Sequence, residues 1–320
     1  MVAASEPVDT ARAERQSHRS VFIVGCARTG STLLRHVLNR SAGVVILPET
    51  HFMRRSAALG LPRRLAAART RQGLTAVVDR LYAVDAQSRT GYWAWLRRTV
   101  PRSEFAMRLD TTDHSLRGLF ALLVDLYVEH SDAQRPLSVI GEKTPSHLMF
   151  IPTLVDWFPS TVVIHTFRDP RAVYASELRR RREGRWGPKQ RLRWVPGALM
   201  DAILGPFEAI RTAIVWRRAD ELDVVYRQAL GERYLLVRFE DLVARPLEEL
   251  SVVCQHLGIP FDAALLDIDV VGSSFEPGRH ATTGFNPVTV DRWRHHVGPV
   301  ARAWFRLVLG RRMHARGYGP

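Results

Sequence analysis

The chain has 320 residues, 46% of them hydrophobic and 24% charged, a globular composition that excludes an extensively disordered protein. The formal net charge is +14, from 46 basic against 32 acidic residues; it favours polyanionic ligands, nucleic acid or an anionic membrane surface without choosing among them. Two cysteines, Cys26 and Cys254, without a CxxC spacing exclude a disulfide framework and offer no zinc pattern. The first twenty residues are polar and of mixed charge with no apolar stretch, and no run of about 18 apolar residues occurs anywhere. These features predict a cytoplasmic protein with a disordered tail over residues 1–19 and a single domain over residues 20–320.

The first strong element is the apolar run Val21-Phe22-Ile23-Val24, which ends in Gly25-Cys26-Ala27-Arg28-Thr29-Gly30-Ser31-Thr32 and restarts as an apolar-periodic segment. The order is strand, phosphate loop, helix. Gly25 and Gly30 can take dihedrals that other residues resist, and the first N–H groups of the following helix are unpaired, so the loop suits an anion. The spacing Gly25-x4-Gly30 followed by Ser31 and Thr32 matches a nucleoside triphosphatase loop, except that Ser31 stands where that motif needs Lys. The positive charge sits upstream, at Arg28. A strand-to-helix turn without a ligand is the plainer reading of the same residues.

Further along, Val44-Val45-Ile46-Leu47 reads as a short buried parallel strand. It delivers Glu49, Thr50, His51 and Phe52 to a strand end, where open α/β sheets place their ligands; Glu49 could instead pair with Arg54 or Arg55. Residues 61–128 carry helical periodicity, with Leu74, Val77, Val78 and Leu81 on one face and Leu116, Leu119, Phe120, Leu123 and Leu126 on another. Between these lies a loop with Tyr92, Trp93 and Trp95, which either roofs an acceptor pocket or packs the insert onto the sheet. A strand over residues 137–140 is followed by Gly141-Glu142-Lys143-Thr144-Pro145-Ser146-His147 and a helix to about Trp157.

The β-branched run 161–167 then delivers Arg168 and Asp169 to a helix that starts near Pro170 and carries Ser176. A guanidinium fork at Arg168 and the Ser176 hydroxyl suit one phosphate, whereas an Arg168–Asp169 ion pair is the plainer alternative. Residues 179–193 form a basic, poorly patterned stretch, usually a solvated loop. A helix with Phe207, Ile210 and Ile214 follows, then a strand over residues 234–239 ending at Glu240-Asp241-Leu242, and a helix over about 246–257. Residues 272–286 are rich in Gly, Ser, Thr and Pro and read as a long, lid-like loop. Short helices beginning at Val290 and Pro299 close the chain. The alternation predicts an α/β fold: a P-loop-type open parallel β-sheet flanked by helices, with a helical insertion.

Taken together, Ala27-Arg28-Thr29-Gly30-Ser31-Thr32-Leu33, Glu142-Lys143-Thr144-Pro145, Phe167-Arg168-Asp169-Pro170-Arg171 with Ser176, and Val237-Arg238-Phe239-Glu240-Asp241-Leu242 resemble the sulfotransferases that use 3′-phosphoadenosine 5′-phosphosulfate (PAPS). The resemblance implies that Arg28, Thr29, Gly30, Ser31 and Thr32 hold the 5′-phosphosulfate, that Arg168 and Ser176 hold the 3′-phosphate, and that no metal is needed. Gly278-Arg279 partly matches the family's C-terminal cofactor segment and adds Arg279 to these contacts. Glu49-Thr50-His51-Phe52 is similar to the Glu-x-His-Phe stretch of glycan-acting members, whose Glu is the base. Glu49 is therefore the implied general base, with Arg28 and Lys143 as further catalytic groups and His51 and His147 toward the substrate. No Lys stands in the first loop and no Lys-Thr-His follows it, so the likeness is to the glycan, tyrosyl-protein and bacterial branches. The implied acceptor is a hydroxyl of a glycan, lipid or small molecule, the implied product 3′,5′-adenosine bisphosphate, and no nucleic-acid partner is expected. An ATP-dependent phosphotransferase, which predicts magnesium dependence, and a non-catalytic nucleic-acid-binding protein, suggested by the charge and residues 179–193, are the competing readings.

Overall fold

In a computed structural model of the protein, the described residues are 18–84, 86, 91–133, 136–182, 197–268 and 285–319. Side chains 182 and 197–203 lie outside that description, as do most of the expected tail and lid. Five strands, β1 (Arg19–Gly25), β2 (Val44–Leu47), β3 (Val139–Lys143), β4 (Val162–Phe167) and β5 (Tyr234–Arg238), form one parallel sheet in the order β2-β3-β1-β4-β5. The expected open parallel sheet with flanking helices is what forms. No described helix is long and apolar enough to cross a membrane.

The chain divides into two compact units, one built on residues up to Phe22 and Leu38–Val162, the other on Ile23–Val37 and Val163 onward. In the first, β2 and β3 pair with Val44 opposite Val139 and Leu47 opposite Glu142. This strand differs from the expected one: it begins two residues later and runs through Glu142 and Lys143, so these residues belong to the ladder and not to the loop beyond it. Gly141 is required within it, because a Cβ there would lie 2.3 Å from the Val21 side chain and 2.5 Å from the Val21 carbonyl oxygen. Six helices between Phe52 and Glu129 supply the expected insertion. Thr70 and Ser115 cap two of them by accepting from the backbone N–H groups of Gly73 and Gly118. Phe22, Phe52, Phe120, Trp157 and Phe158 form a continuous aromatic core in this unit.

The expected aromatic loop near Trp93 is instead a helix, Tyr92–Thr99. Tyr92 and Trp93 are buried; the Tyr92 hydroxyl donates to the Leu123 carbonyl and the Trp93 indole N–H to the Thr50 carbonyl at 2.8 Å. These two rings pack the insertion, since their polar tips are spent on backbone acceptors.

In the second unit, β4 is buried along its whole length and pairs with β5, Val163 opposite Tyr234 and Phe167 opposite Arg238. Helices Ser31–Leu38 and Pro170–Arg182 begin where the sequence places them. Glu240, Asp241 and Leu242 lie within a short helix, Phe239–Ala244, that starts directly after β5. Along the 34-residue helix Gly197–Leu230, Ala209, Ala213, Trp216, Ala219, Leu222 and Tyr226 face inward while Phe207, Ile210 and Ile214 are exposed.

Candidate active site

The phosphate loop belongs to the second unit. Gly25 has φ +146, and a Cβ there would lie 2.3 Å from the Thr166 carbonyl oxygen; Gly30 has φ +88, and a Cβ there would lie 2.5 Å from the Phe239 ring. Both positions therefore need glycine for conformation and for space. Arg28, with φ 70, occupies the left-handed region without being glycine, a conformation that costs energy and is held by its surroundings. Its side-chain Nε donates to Ser176 Oγ at 2.8 Å, and its carbonyl accepts from Arg168 Nη1 at 3.2 Å. Arg28 is thus brought to Arg168 and Ser176, which lie 140 and 148 residues further along the chain.

Arg168 also donates through Nη2 to the Thr289 carbonyl at 3.3 Å, and its guanidinium lies 3.9 Å from the centre of the Phe239 ring. Asp169 pairs with Arg171, at 2.7 Å from Nη2 to Oδ2, and not with Arg168. Burial pulls the Arg168 guanidinium down to about 10, so it is charged at neutral pH. Its Nε is buried without a hydrogen-bond acceptor among the described residues, the kind of orphaned donor that an anion satisfies. The Thr29 hydroxyl is committed inside the loop, to the Cys26 carbonyl and the Thr166 hydroxyl, each at 2.7 Å, so it serves the loop and not a ligand. Ser31 and Thr32 form the first turn of helix Ser31–Leu38, where N–H groups and the helix dipole favour an anion. Cys26 is buried and its thiol is pushed up to about 12 by burial; it is packing, not a nucleophile. Arg279 lies outside the described residues.

The carboxylate cluster belongs to the first unit. Glu49 Oε1 lies 2.5 Å from Lys143 Nζ and Oε2 lies 3.0 Å from His51 Nε2. Glu49 thus pairs with Lys143 and His51, and these three expected residues form one constellation. Burial pushes the Glu49 carboxyl up, but the hydrogen bond from His51 and the charge and hydrogen bond of Lys143 outweigh it and hold the group at about 2. The carboxylate is half-exposed, whereas Lys143 is almost fully buried. His147 is elsewhere: it is completely buried, with Nδ1 3.0 Å from Glu142 Oε2 and Nε2 accepting from the Met53 N–H at 3.4 Å. With both ring nitrogens engaged and no exposed surface, it presents nothing to a substrate.

Sequence reasoning missed Thr166 and Thr289 around the loop, and it named Phe239, Thr50 and Thr144 without giving them a role in the site. For Thr144 a signal existed, since a hydroxyl beside a strand-end carboxylate is a ready partner for nearby backbone amides.

One unit thus carries a glycine-bounded loop that opens a helix, with arginines gathered around it, and the other carries a carboxylate held between an ammonium and an imidazole. Residues 20–263 match the Sulfotransferase family, and the chain belongs to it. Among solved structures, the sulfotransferase domain from the Synechococcus PCC 7002 olefin synthase is 21% identical with a TM-score of 0.52, covering 90% of this chain and 95% of that one. The sulfotransferase domain from the curacin biosynthetic pathway is 18% identical with a TM-score of 0.50, covering 92% and 98%. At these identities the likeness is one of fold. No curated protein matches the chain.

Proposed function

We propose that this sulfotransferase moves a sulfuryl group from PAPS to a hydroxyl of a glycan, lipid or small molecule in the cytoplasm. The observation that carries the reading is the meeting of Arg28, Arg168 and Ser176 on the phosphate loop, which suits a donor with two separate anionic ends better than a nucleoside triphosphate. The Nε of buried Arg168, without an acceptor among the described residues, and the two glycine-requiring positions of the loop, Gly25 and Gly30, fit such a donor. When bound, it supplies the sulfuryl group and the adenosine bisphosphate leaving group.

The loop amides of residues 28–32 with Arg28 would hold the 5′ end and bear the charge that develops there. Arg168 and Ser176 would hold the 3′-phosphate, with Arg279 as a further contact. Glu49 takes the proton of the acceptor hydroxyl. Held at about 2 by its partners, the carboxylate is a weak base as it stands; it gains basicity when the Lys143 ammonium is drawn to an anionic substrate oxygen, which removes the nearest charge stabilising its ionised form. His51 then orients the carboxylate through the hydrogen bond to Oε2 and lines the approach of the acceptor.

The experiment that tests this reading is an assay of sulfuryl transfer from radiolabelled PAPS to a panel of phenols, sugars and lipid alcohols, without added metal and with ATP plus magnesium as the competing donor. Transfer from PAPS to at least one acceptor class is expected. Phosphoryl transfer from ATP with none from PAPS would overturn it.

A further inference from the structure

The backbone N–H groups of residues 50–53, which enter helix Phe52–Ala58, find side-chain acceptors at the end of β3, in the 3-10 turn Pro145–Phe150 that follows it, and on Thr50 itself. The Thr50 N–H donates to Glu142 Oε1 and Thr144 Oγ, both at 3.1 Å, and the His51 N–H donates to Thr144 Oγ at 3.2 Å. The Phe52 N–H donates to Thr50 Oγ at 3.1 Å, while the Thr50 hydroxyl donates to Glu142 Oε1 at 2.9 Å. The Met53 N–H goes to His147, which faces Glu142 with its other nitrogen. Thr144 donates its own proton to Glu142 Oε1. The Glu142 carboxylate thus gathers the hydroxyls of Thr50 and Thr144 and the imidazole of His147, and these in turn hold the amides. Between them sits His51, non-glycine at φ 50, a conformation maintained only when its neighbours over-determine it.

We infer that Glu142 and Thr144 are positioning residues: from the end of β3 they clamp the Thr50 and His51 amides, and so fix the turn that presents Glu49 and His51 to each other. The inference rests on the reading of Glu49 as the base. Glu142 is itself 1% exposed and meets no acceptor. Its carboxyl is pushed up by burial but held below the usual range by His147 and by the hydrogen bonds from Thr144 and Thr50, so the clamp keeps its charge at neutral pH. The neighbouring Lys143 meets Glu49 directly, so consecutive strand residues set the backbone and the charge of the same turn.

The test uses the full chain carrying Thr144→Val, Thr144→Ser or Glu142→Gln, with turnover, the Michaelis constant for donor, and the ring signals of His51 in ¹⁵N-histidine-labelled free protein, assigned with His51→Gln. Thr144→Val, which keeps the shape and removes the hydroxyl, is expected to lower kcat by about 100-fold, the cost of a roughly 1 Å displacement. The donor constant stays unchanged, the His51 signals shift, and Thr144→Ser restores both kcat and signals. Glu142→Gln, which keeps an acceptor but reverses the group facing His147, moves the same readouts in the same direction. Wild-type turnover and unshifted His51 signals in Thr144→Val would overturn the inference. So would a loss of kcat accompanied by a matching loss of donor binding and melting temperature in every variant. If Glu49→Gln keeps full turnover while Thr144→Val still shifts the His51 signals, the base assignment fails and the clamp stands.

Discussion

At the scale of single residues the proposed mechanism gives the acceptor's proton to Glu49, and the surroundings of that carboxylate make definite demands on it. Its carboxyl is held at about 2 against an ordinary 4.5, so the stabilisation from its ion pairs is fully present above about pH 4.5 and is lost as pH falls toward about 2. If Glu49 is the base in the free enzyme, kcat/KM shows no acid limb between neutrality and about pH 4.5; a limb near neutrality that survives in Glu49→Gln would assign the proton to another group. Glu49→Gln should lower turnover by about 10²–10⁴-fold with binding of 3′,5′-adenosine bisphosphate little changed, read by initial rates and calorimetry. Lys143→Met removes the ammonium 2.5 Å from the carboxylate, and infrared titration of the Glu49 carboxyl should then show it rise toward the usual range. At the other constellation, Arg168→Ala should weaken the bisphosphate but not 5′-AMP; equal losses for both would remove the 3′-phosphate role.

Among the elements, the loop is the least tolerant. An Ala at Gly25 would put a methyl 2.3 Å from a backbone oxygen, which no side-chain rotation relieves, so Gly25→Ala should cost about 1–3 kcal/mol or more in urea unfolding. At Gly30 the obstruction is the Phe239 ring, which also carries Arg168; Gly30→Ala should therefore lose bisphosphate affinity as well as stability. This loop was legible because glycine spacing and the apolar strand before it are local signals. The end of β3 was not: Gly141, Glu142 and Lys143 have loop-like composition, and their place in the ladder depends on pairing with β2, a tertiary effect that overrides strand propensity. The aromatic helix Tyr92–Thr99 was misread for a related reason, since its short apolar run follows Gly91 and resembles a turn.

Across the whole molecule, a buried polar chain in the second unit sets a further pH dependence. His165 Nδ1 meets the Tyr234 hydroxyl at 2.6 Å, which donates to Asp223 at 2.9 Å, and Asp223 pairs with Arg316 at 2.5 Å. Burial pulls His165 down from 6.5 to about 4. In the unfolded chain the imidazole binds its proton first, so this contribution to stability is complete above about pH 6.5 and falls away as pH drops through about 4. His165→Gln should flatten the melting temperature across that interval; an unchanged profile would exclude His165 as the cause. The α/β alternation and the strand-end placement of Glu49 and Arg168 were readable in the sequence, because strand–loop–helix order is local. What His147 and Glu142 do was not, because a buried His–Glu contact and an exposed ligand have the same residue types.

The most direct measurement of the donor assignment is thermal stability with 3′,5′-adenosine bisphosphate, with 5′-AMP, and with ATP plus magnesium, at equal concentrations. A ligand at about 100 times its dissociation constant stabilises by about 2.7 kcal/mol, a shift of several degrees. Stabilisation by the bisphosphate above that by 5′-AMP, unaffected by magnesium and abolished in Arg168→Ala, is the expected result. Stabilisation by ATP with magnesium alone, or none by the bisphosphate at any concentration, would contradict it.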